Sequence, residues 1–163
     1  MLVGVDVHGA TLGIVGYGRL GQAMARRARG FEMRVLCSHT SPAEAESIGK
    51  CVDLDTLLAE SDFVSIHTAL NEDTYHLINA GRLAKMKRTA VLVNAARGPI
   101  VDPDALYDAL KAGTIFAAAL DVTEPEPLPQ DHPLLTLPNC IVVPHVGSAS
   151  IATRTKMAVM AAQ

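Results

Sequence analysis

The sequence predicts an α/β fold, a doubly wound parallel sheet with helices on both faces. Three observations lead to this prediction: short apolar runs recur along the chain, helical patterns lie between them, and a glycine-rich loop follows the first run. The runs are almost continuously apolar, which is typical of strands buried on both faces of a parallel sheet. Strands that alternate with helices through right-handed crossovers form a doubly wound sheet.

Six apolar runs are predicted to be the strands. In chain order they span residues 12–15, 35–37, 63–66, 90–93, 115–120 and 141–143. None of them approaches the roughly 18 residues that a membrane helix needs. We therefore expect no membrane span.

Helical patterns occupy the segments between these strands and the end of the chain. They span residues 20–29, 54–60, 80–86, 102–113 and 150–163. The clearest begins with Asp102 as a suitable N-cap and Pro103 in the first turn, and it ends at Gly113. Asp53 is a suitable N-cap for the second helix.

Composition limits the class of protein. The 163 residues, 49% hydrophobic and 19% charged, are predicted to form one folded domain over 1–163. A net charge of −3 favours neither a nucleic-acid partner nor a membrane surface. Cys37, Cys51 and Cys140 form no C-x-x-C pair, so neither a zinc site nor a disulfide framework is indicated, and we expect a cytoplasmic protein.

Three glycines have the spacing G-x-G-x-x-G. Gly16, Gly18 and Gly21 follow a predicted strand and open a predicted helix. In this context the pattern predicts a tight turn, a close approach of the backbone to a pyrophosphate, and close packing of helix on strand. The loop therefore indicates a Rossmann-type dinucleotide-binding fold; the alternative is that the glycines serve only a turn.

The end of the second predicted strand bears on the choice between NAD and NADP. A carboxylate that binds the ribose 2′-hydroxyl is expected there, yet Ser38, His39 and Thr40 occupy this place and no acidic residue occurs before Glu44. Without a carboxylate to repel it, a 2′-phosphate can be held by these side chains and by Arg19. We therefore favour NADP(H) and leave NAD(H) open; the alternative is a polar loop without this role.

Side chains suited to chemistry follow the last three predicted strands. Arg97 follows the fourth strand, Asp121 and Glu126 follow the fifth, and His145 follows the sixth. Ligands of open α/β sheets bind at the carboxyl ends of strands, so we expect these loops to converge near a nicotinamide ring. An arginine suits a carboxylate, and a histidine paired with a glutamate suits proton transfer. Taken singly, each could instead be a structural or solvated side chain.

Five segments and one Thr-Arg pair match the motifs of a known family in order and spacing. They are "TLGIVGYGRLGQAMARRA", "SDFVSIHTALNEDTYHLINAGRLAKMK", "AVLVNAARGPIVD", "ALYDALKAG", "AALDVTEPEPLPQDHPLLTLPNCIVVPHVGSA" and "TR" at Thr153 and Arg154. Over nearly its whole length the sequence resembles the D-isomer-specific 2-hydroxyacid dehydrogenases. Within that family it is most similar to the glyoxylate/hydroxypyruvate reductases.

The resemblance implies catalytic roles for three positions. Arg97 would bind the substrate carboxylate and polarise the 2-oxo group, and His145 would be the acid/base. Glu126 would keep that imidazole protonated and oriented. His67 lies in a cofactor loop and is not expected to be catalytic.

The resemblance also implies contacts with the cofactor beyond the three glycines. Asp121 would line the pocket of the nicotinamide carboxamide, and backbone groups at the start of the first helix would contact the phosphates. The implied positions, other than residues 38–40, are Arg19, Leu20, Thr68, Ala95, Asp121, Gly147 and Ser148.

The implied reaction is hydride transfer from a reduced nicotinamide to C2 of a small 2-oxo acid, glyoxylate or hydroxypyruvate. A homodimer formed through this domain is implied as well, and no metal is required. Family members also have a second domain, which helps to exclude water and which we expect to be absent here. The alternative function is therefore a non-catalytic module that binds NAD(P) or a protein, as in corepressor relatives.

Overall fold

The computed structural model describes residues 4–38 and 49–163, and these form one parallel sheet with five α-helices. Its seven strands are ordered β3-β2-β1-β4-β5-β6-β7, so the direction of chain progression reverses between β1 and β4. The strands are β1 Thr11–Val15, β2 Arg34–Ser38, β3 Lys50–Cys51, β4 Phe63–Ile66, β5 Val91–Asn94, β6 Ala117–Leu120 and β7 Cys140–Val142. The predicted doubly wound fold is confirmed.

The described helices alternate with the strands or follow the last one. They are α1 Arg19–Ala28, α2 Leu54–Glu60, α3 Ala80–Leu83, α4 Pro103–Lys111 and α5 Ile151–Ala161. Both predicted aspartate caps are confirmed: Asp53 accepts from Thr56 N at the start of α2, and Asp102 accepts from the amides of residues 104 and 105 at the start of α4. Gly113 has φ +65°, which lets the chain leave α4 without a Cβ penalty.

One predicted helix is shorter than expected, and one observed strand was not predicted. The predicted helix over residues 80–86 ends at Leu83, because only one turn continues the helical ladder before a loop leads into β5. The two-residue strand β3 was not predicted, since its pairing with β2 at the sheet edge makes it a strand and no apolar run marks it. The residues 39–48 that separate these two strands lie outside the described part of the chain.

Side chains from the two faces of the sheet enter two separate apolar clusters. On β1, Leu12 and Ile14 pack with Ala25 of α1, whereas Val15 packs with Leu57 of α2 in the larger cluster. This alternation is the two-residue period of a strand. Helices therefore cover both faces of the sheet at β1 and β2.

The sheet is less evenly covered at β5, β6 and β7. One face contributes Leu92, Ala118 and Leu120 to the larger cluster, while the alternate residues of β5 and β6 are only partly buried. Ile141 on β7 is 64% exposed, and α5 buries none of its residues. Across the described ranges, no helix has the length and apolar character needed to cross a bilayer.

The stability of the domain depends on the larger cluster. Leu92 lies in the centre of β5 with no exposed surface, so Leu92→Ala is expected to lower the free energy of unfolding by about 2–5 kcal/mol through lost contacts and a residual cavity. Ile151→Ala, at a side chain that is 89% exposed, is the control and should change it by less than about 0.5 kcal/mol. Urea unfolding followed by circular dichroism measures both; similar midpoints for the two variants would contradict this account.

Candidate active site and cofactor site

Two glycines of the first loop fit the close contacts predicted for them. Gly16 has φ +94°, and a Cβ there would lie 2.5 Å from the backbone nitrogen of Thr68. A Cβ on Gly21 would clash with the carbonyl oxygen of Gly16, so the helix can approach the turn only without a side chain. The loop is therefore packed against the end of β4, which leaves no room for other residues at these positions.

Gly18 differs from Gly16 and Gly21 because no atom of the described residues lies within 4 Å of the place where a Cβ would be. It is the N-cap residue of α1, which has no side-chain cap and no acidic residue in its first turn. Arg19 and Leu20, which follow it, are exposed. An uncapped helix N-terminus beside an open glycine offers amide donors and a positive dipole end to an anion such as a pyrophosphate.

The end of β2 lies beside this loop. Gly16 N donates to the carbonyl of Ser38 at 3.0 Å. The Ser38 side chain is only 2% exposed, and its hydroxyl has no hydrogen-bond partner among the described residues. His39 and Thr40, the other two predicted contacts with a 2′-phosphate, lie outside the described residues.

A cavity of about 560 Å³ opens next to the start of α1, where the loops after β4 and β5 meet. It brings together four of the predicted positions, Leu20, Thr68, Ala95 and Arg97. The cavity lies at the reversal of strand order between β1 and β4 and extends to β5. This is the place where open α/β sheets bind ligands.

Arg97 is carried by a loop that a buried asparagine organises. Asn94, the last residue of β5, is 1% exposed; its Nδ2 donates to the carbonyl of Arg97 at 2.9 Å and its Oδ1 accepts from Ala96 N at 3.1 Å. The guanidinium of Arg97 is exposed, and its Nη1 donates to the carbonyl of Ala96 at 2.6 Å. Asn94 was not predicted as a site residue, although a polar side chain ending an apolar strand is a usable signal.

His145 and Glu126 form a direct pair. The imidazole Nδ1 lies 2.7 Å from Glu126 Oε1, and the two side chains are 49% and 42% exposed. His145 has φ +51°, a conformation that the loop imposes, and its backbone N donates to the carbonyl of Asp121 at 2.9 Å. The pairing expected from the sequence is thus present in the geometry.

Asp121 fixes the loop that follows β7. Its carboxylate accepts from Val146 N at 2.7 Å and from Gly147 N at 2.9 Å. A Cβ on Gly147 would lie 2.8 Å from Asp121 Oδ2, so glycine is needed for this approach. Ser148 lies in the same turn and is partly exposed. In this geometry Asp121 organises the loop, and its oxygens are engaged by backbone amides.

A second cavity, of about 490 Å³, is lined by Asp121, Glu126 and His145 together with apolar side chains such as Leu128 and Leu135. Arg97 does not line it but faces the first cavity. The predicted catalytic residues therefore lie on neighbouring loops of one sheet edge, with His145 and Glu126 in contact and Arg97 in the adjoining cavity. Within the described ranges, no group of three or more potential ligand side chains is placed to hold a metal ion.

His67 lines the first cavity and contacts Ser65. Its Nε2 lies 2.9 Å from the Ser65 hydroxyl oxygen. Burial lowers the pKa of His67 below its usual value, because the charged imidazolium loses hydration. A neutral, hydrogen-bonded imidazole is a poor proton donor at neutral pH; that His67 is not catalytic stays a prediction.

A sheet that reverses strand order beside an uncapped, glycine-opened helix defines the class of nucleotide-binding α/β domains. The sequence profile of the family described as "D-isomer specific 2-hydroxyacid dehydrogenase, NAD binding domain" matches residues 1–147. The chain therefore belongs to this family, as its sequence motifs predicted.

Relatives of known name agree with this assignment. A glyoxylate reductase of Korarchaeum cryptofilum is 54% identical over all of this chain and half of its own length. A glyoxylate/hydroxypyruvate reductase B of Yersinia pestis is 55% identical over 97% of this chain and 50% of its own. The chain thus spans about half the length of the curated relatives it matches.

Solved structures show the same fold. The crystal structure of a glyoxylate reductase from Paecilomyes thermophila has a TM-score of 0.89 at 41% identity, over 97% of this chain and 48% of that one. An NAD complex of a D-isomer-specific 2-hydroxyacid dehydrogenase from Lactobacillus delbrueckii scores 0.88 at 30% identity, over 97% and 52%. An acyclic imino acid reductase in complex with NADPH and D-Arg scores 0.85 at 32% identity, over 93% and 48%.

Gly18 provides a test of the nucleotide site that does not perturb the fold. With φ −71° and open space around it, Gly18→Ala is expected to fold normally, yet its methyl group would stand where a pyrophosphate approaches. We expect the affinity for NADPH or NADH, measured by fluorescence titration, to fall about tenfold, roughly 1.4 kcal/mol. Gly30→Ala, also in open space but at the far end of α1, is the control. Unchanged affinity of Gly18→Ala would contradict the assignment of this loop as the pyrophosphate-binding site.

Proposed function

We propose that the chain supplies the nucleotide-binding and acid/base part of an NADPH-dependent reductase of small 2-oxo acids, glyoxylate or hydroxypyruvate. The observation that carries the proposal is the 2.7 Å contact between His145 Nδ1 and Glu126 Oε1 at the carboxyl edge of the sheet. The names of the relatives, glyoxylate reductase and glyoxylate/hydroxypyruvate reductase B, support the choice of substrate.

His145 protonates the carbonyl oxygen of the substrate in this proposal. Because Nδ1 faces Glu126, Nε2 is the nitrogen left for the substrate. A bound nicotinamide supplies the hydride that reaches C2. As the carbonyl π electrons move on to the oxygen, the imidazolium proton passes to that oxygen and completes the hydroxyl group. Glu126 holds the imidazole through Nδ1 and so orients Nε2 for the transfer.

Arg97 binds the carboxylate of the substrate. The guanidinium is exposed on the loop next to the one that carries Glu126, and Asn94 holds the backbone of that loop in place. A guanidinium can bind a carboxylate through two parallel hydrogen bonds, which fixes orientation as well as position. It also stabilises the negative charge that develops on the neighbouring oxygen during reduction.

Ser38 supports NADPH as the preferred cofactor. Among the described residues the buried Ser38 hydroxyl has no hydrogen-bond partner, which is uncommon in folded proteins, and a 2′-phosphate oxygen at the end of β2 would accept its hydrogen bond. Arg19, exposed at the start of α1, would supply a positive charge for the same phosphate. Relatives of this fold have been solved with NAD and with NADPH, so the domain type accommodates both nucleotides.

The second candidate is a module that binds the nucleotide without turnover. It is favoured by the exposure of the acid/base pair, in which about half of each side chain faces solvent. Water at this position weakens the electrostatic effect of Glu126 and Arg97 on a developing charge. The two candidates share nucleotide binding and differ in whether His145 matters to NADPH oxidation.

Cofactor preference is tested by titrating the chain with NADPH and with NADH. We expect NADPH to bind about tenfold more tightly, a difference of roughly 1.4 kcal/mol. Arg19→Ala should weaken NADPH more than NADH, because only NADPH carries the extra phosphate. Arg29→Ala, exposed at the other end of the helix region, is the matched control. Equal affinities for the two nucleotides would contradict the preference.

Catalysis is tested by following the loss of NADPH absorbance with glyoxylate and with hydroxypyruvate. His145→Ala should lower the rate by about 10²–10⁴-fold, the usual contribution of a general acid, and leave NADPH affinity unchanged. His8→Ala, at an exposed imidazole 3.7 Å from Glu32, is the control and should react as the wild type does. Nucleotide binding without His145-dependent oxidation would reject the reductase and favour the non-catalytic module.

A further inference from the structure

We propose that His76 is a positioning residue that couples the loop carrying Arg97 to the loop carrying Glu126. The catalytic consequence rests on the proposed function, whereas the coupling itself concerns the folded chain. His76 lies outside both cavities and touches neither Arg97 nor the pair formed by His145 and Glu126. It acts through two other carboxylates, Asp102 and Glu124.

The imidazole of His76 stands between these carboxylates. Its Nε2 lies 2.8 Å from Glu124 Oε2, and its Nδ1 lies 3.9 Å from Asp102 Oδ2. The three side chains are each close to 30% exposed, so water screens them less than it screens a surface pair. The ring of Tyr75 stacks on the imidazole with the centroids 4.0 Å apart, and its hydroxyl lies 3.4 Å from Glu124 Oε1.

The backbone of residues 76–78 is hydrogen-bonded to the loop that carries Arg97. His76 N donates to the carbonyl of Pro99 at 2.8 Å, and Ile78 N donates to the carbonyl of Ile100 at 3.0 Å. Asp102 N donates back to the carbonyl of Ile78 at 3.0 Å. Because His76 has φ +46°, the chain turns sharply there and can present both its amide and its ring to this region. Residues 99, 100 and 102, which follow Arg97, are thus hydrogen-bonded to residues 76 and 78.

Glu124 transmits the contact to the other loop. It lies two residues before Glu126, in a segment where the Thr123 hydroxyl donates to the carbonyl of Pro125 at 2.8 Å. The carbonyl of Thr123 packs so closely on Gly98 that a Cβ on that glycine would clash with it. The loop after β5 and the loop after β6 therefore share one interface, and His76 holds both sides of it.

An apolar residue at position 76 could fill the space but could not hold Glu124. Without the imidazole, Glu124 would keep only the longer 3.4 Å contact with the Tyr75 hydroxyl, and the short segment up to Glu126 would lose the anchor that sets its direction. The carboxylate of Glu126 would then no longer be held on His145. Gln at position 76 keeps a donor near the place of Nε2, so His76→Gln should preserve the contact and His76→Leu should abolish it.

The experiment measures the NMR signal of the His145 ring, which depends on its surroundings and does not require turnover. The ¹H–¹³C correlation signal of the His145 ring is recorded at one pH for wild type, His76→Gln, His76→Leu and Glu126→Ala, and His145→Ala identifies the signal. Glu126→Ala defines the position of an unpaired His145. We expect His76→Leu to move the signal towards that position and His76→Gln to leave it at the wild-type position. His8→Leu, at the remote exposed histidine, should also leave it unchanged.

A wild-type His145 signal in folded His76→Leu would overturn the proposal. If His76→Leu fails to fold, Glu124→Ala removes the carboxylate that contacts His76 Nε2; a shifted His145 signal then supports the coupling, and an unshifted one rejects it. Where the wild type turns over, kcat of His76→Leu should fall up to about a hundredfold, as for a misplaced catalytic group. Its affinity for NADPH should be unchanged, and His76→Gln should restore kcat. Absence of turnover in the wild type would reject the reductase and leave the spectroscopic result to decide on His76.

Discussion

The parallel register of β4 to β7 is the constraint on which the site depends. Ile66 pairs with Asn94, Asn94 with Leu120, and Leu120 with Val142, so four strands end at one level. The loops that carry Thr68, Arg97, Glu126 and His145 therefore start from the same edge. A slip of one residue in any strand would turn its core side chains to the opposite face, and the loop would begin at a different height.

Contacts between neighbouring loops convert this common edge into a defined geometry. Asp121 N donates to the carbonyl of Asn94, and His145 N donates to the carbonyl of Asp121, so each strand end is tied to the next. The carboxylate of Asp121 then holds the two amides after His145. The register places the loops within reach of one another, and polar groups of the backbone decide how they meet. Catalytic side chains on such loops inherit a fixed orientation from their neighbours.

The sequence predicts what is local and periodic, and much less of what is distant. The apolar runs indicated β1, β4 and β5 because the inner strands of a parallel sheet are mostly apolar. Asp53 and Asp102 could be predicted as N-caps because an N-cap and its helix are adjacent in the chain. His76 and Glu124 are 48 residues apart, and no pattern joins them. Their contact exists only because the loops after β4 and β6 flank the loop after β5.

The proposed acid/base pair has its geometry although water still reaches both side chains. His145 and Glu126 are at hydrogen-bond distance although each is about half exposed, and exposed ion pairs of this kind contribute only about 0–1 kcal/mol. The same Coulomb attraction is several times stronger where water is excluded. Orientation is therefore a property of the loops already present, whereas the effect of Glu126 on His145 increases only when a ligand or another surface covers the two side chains.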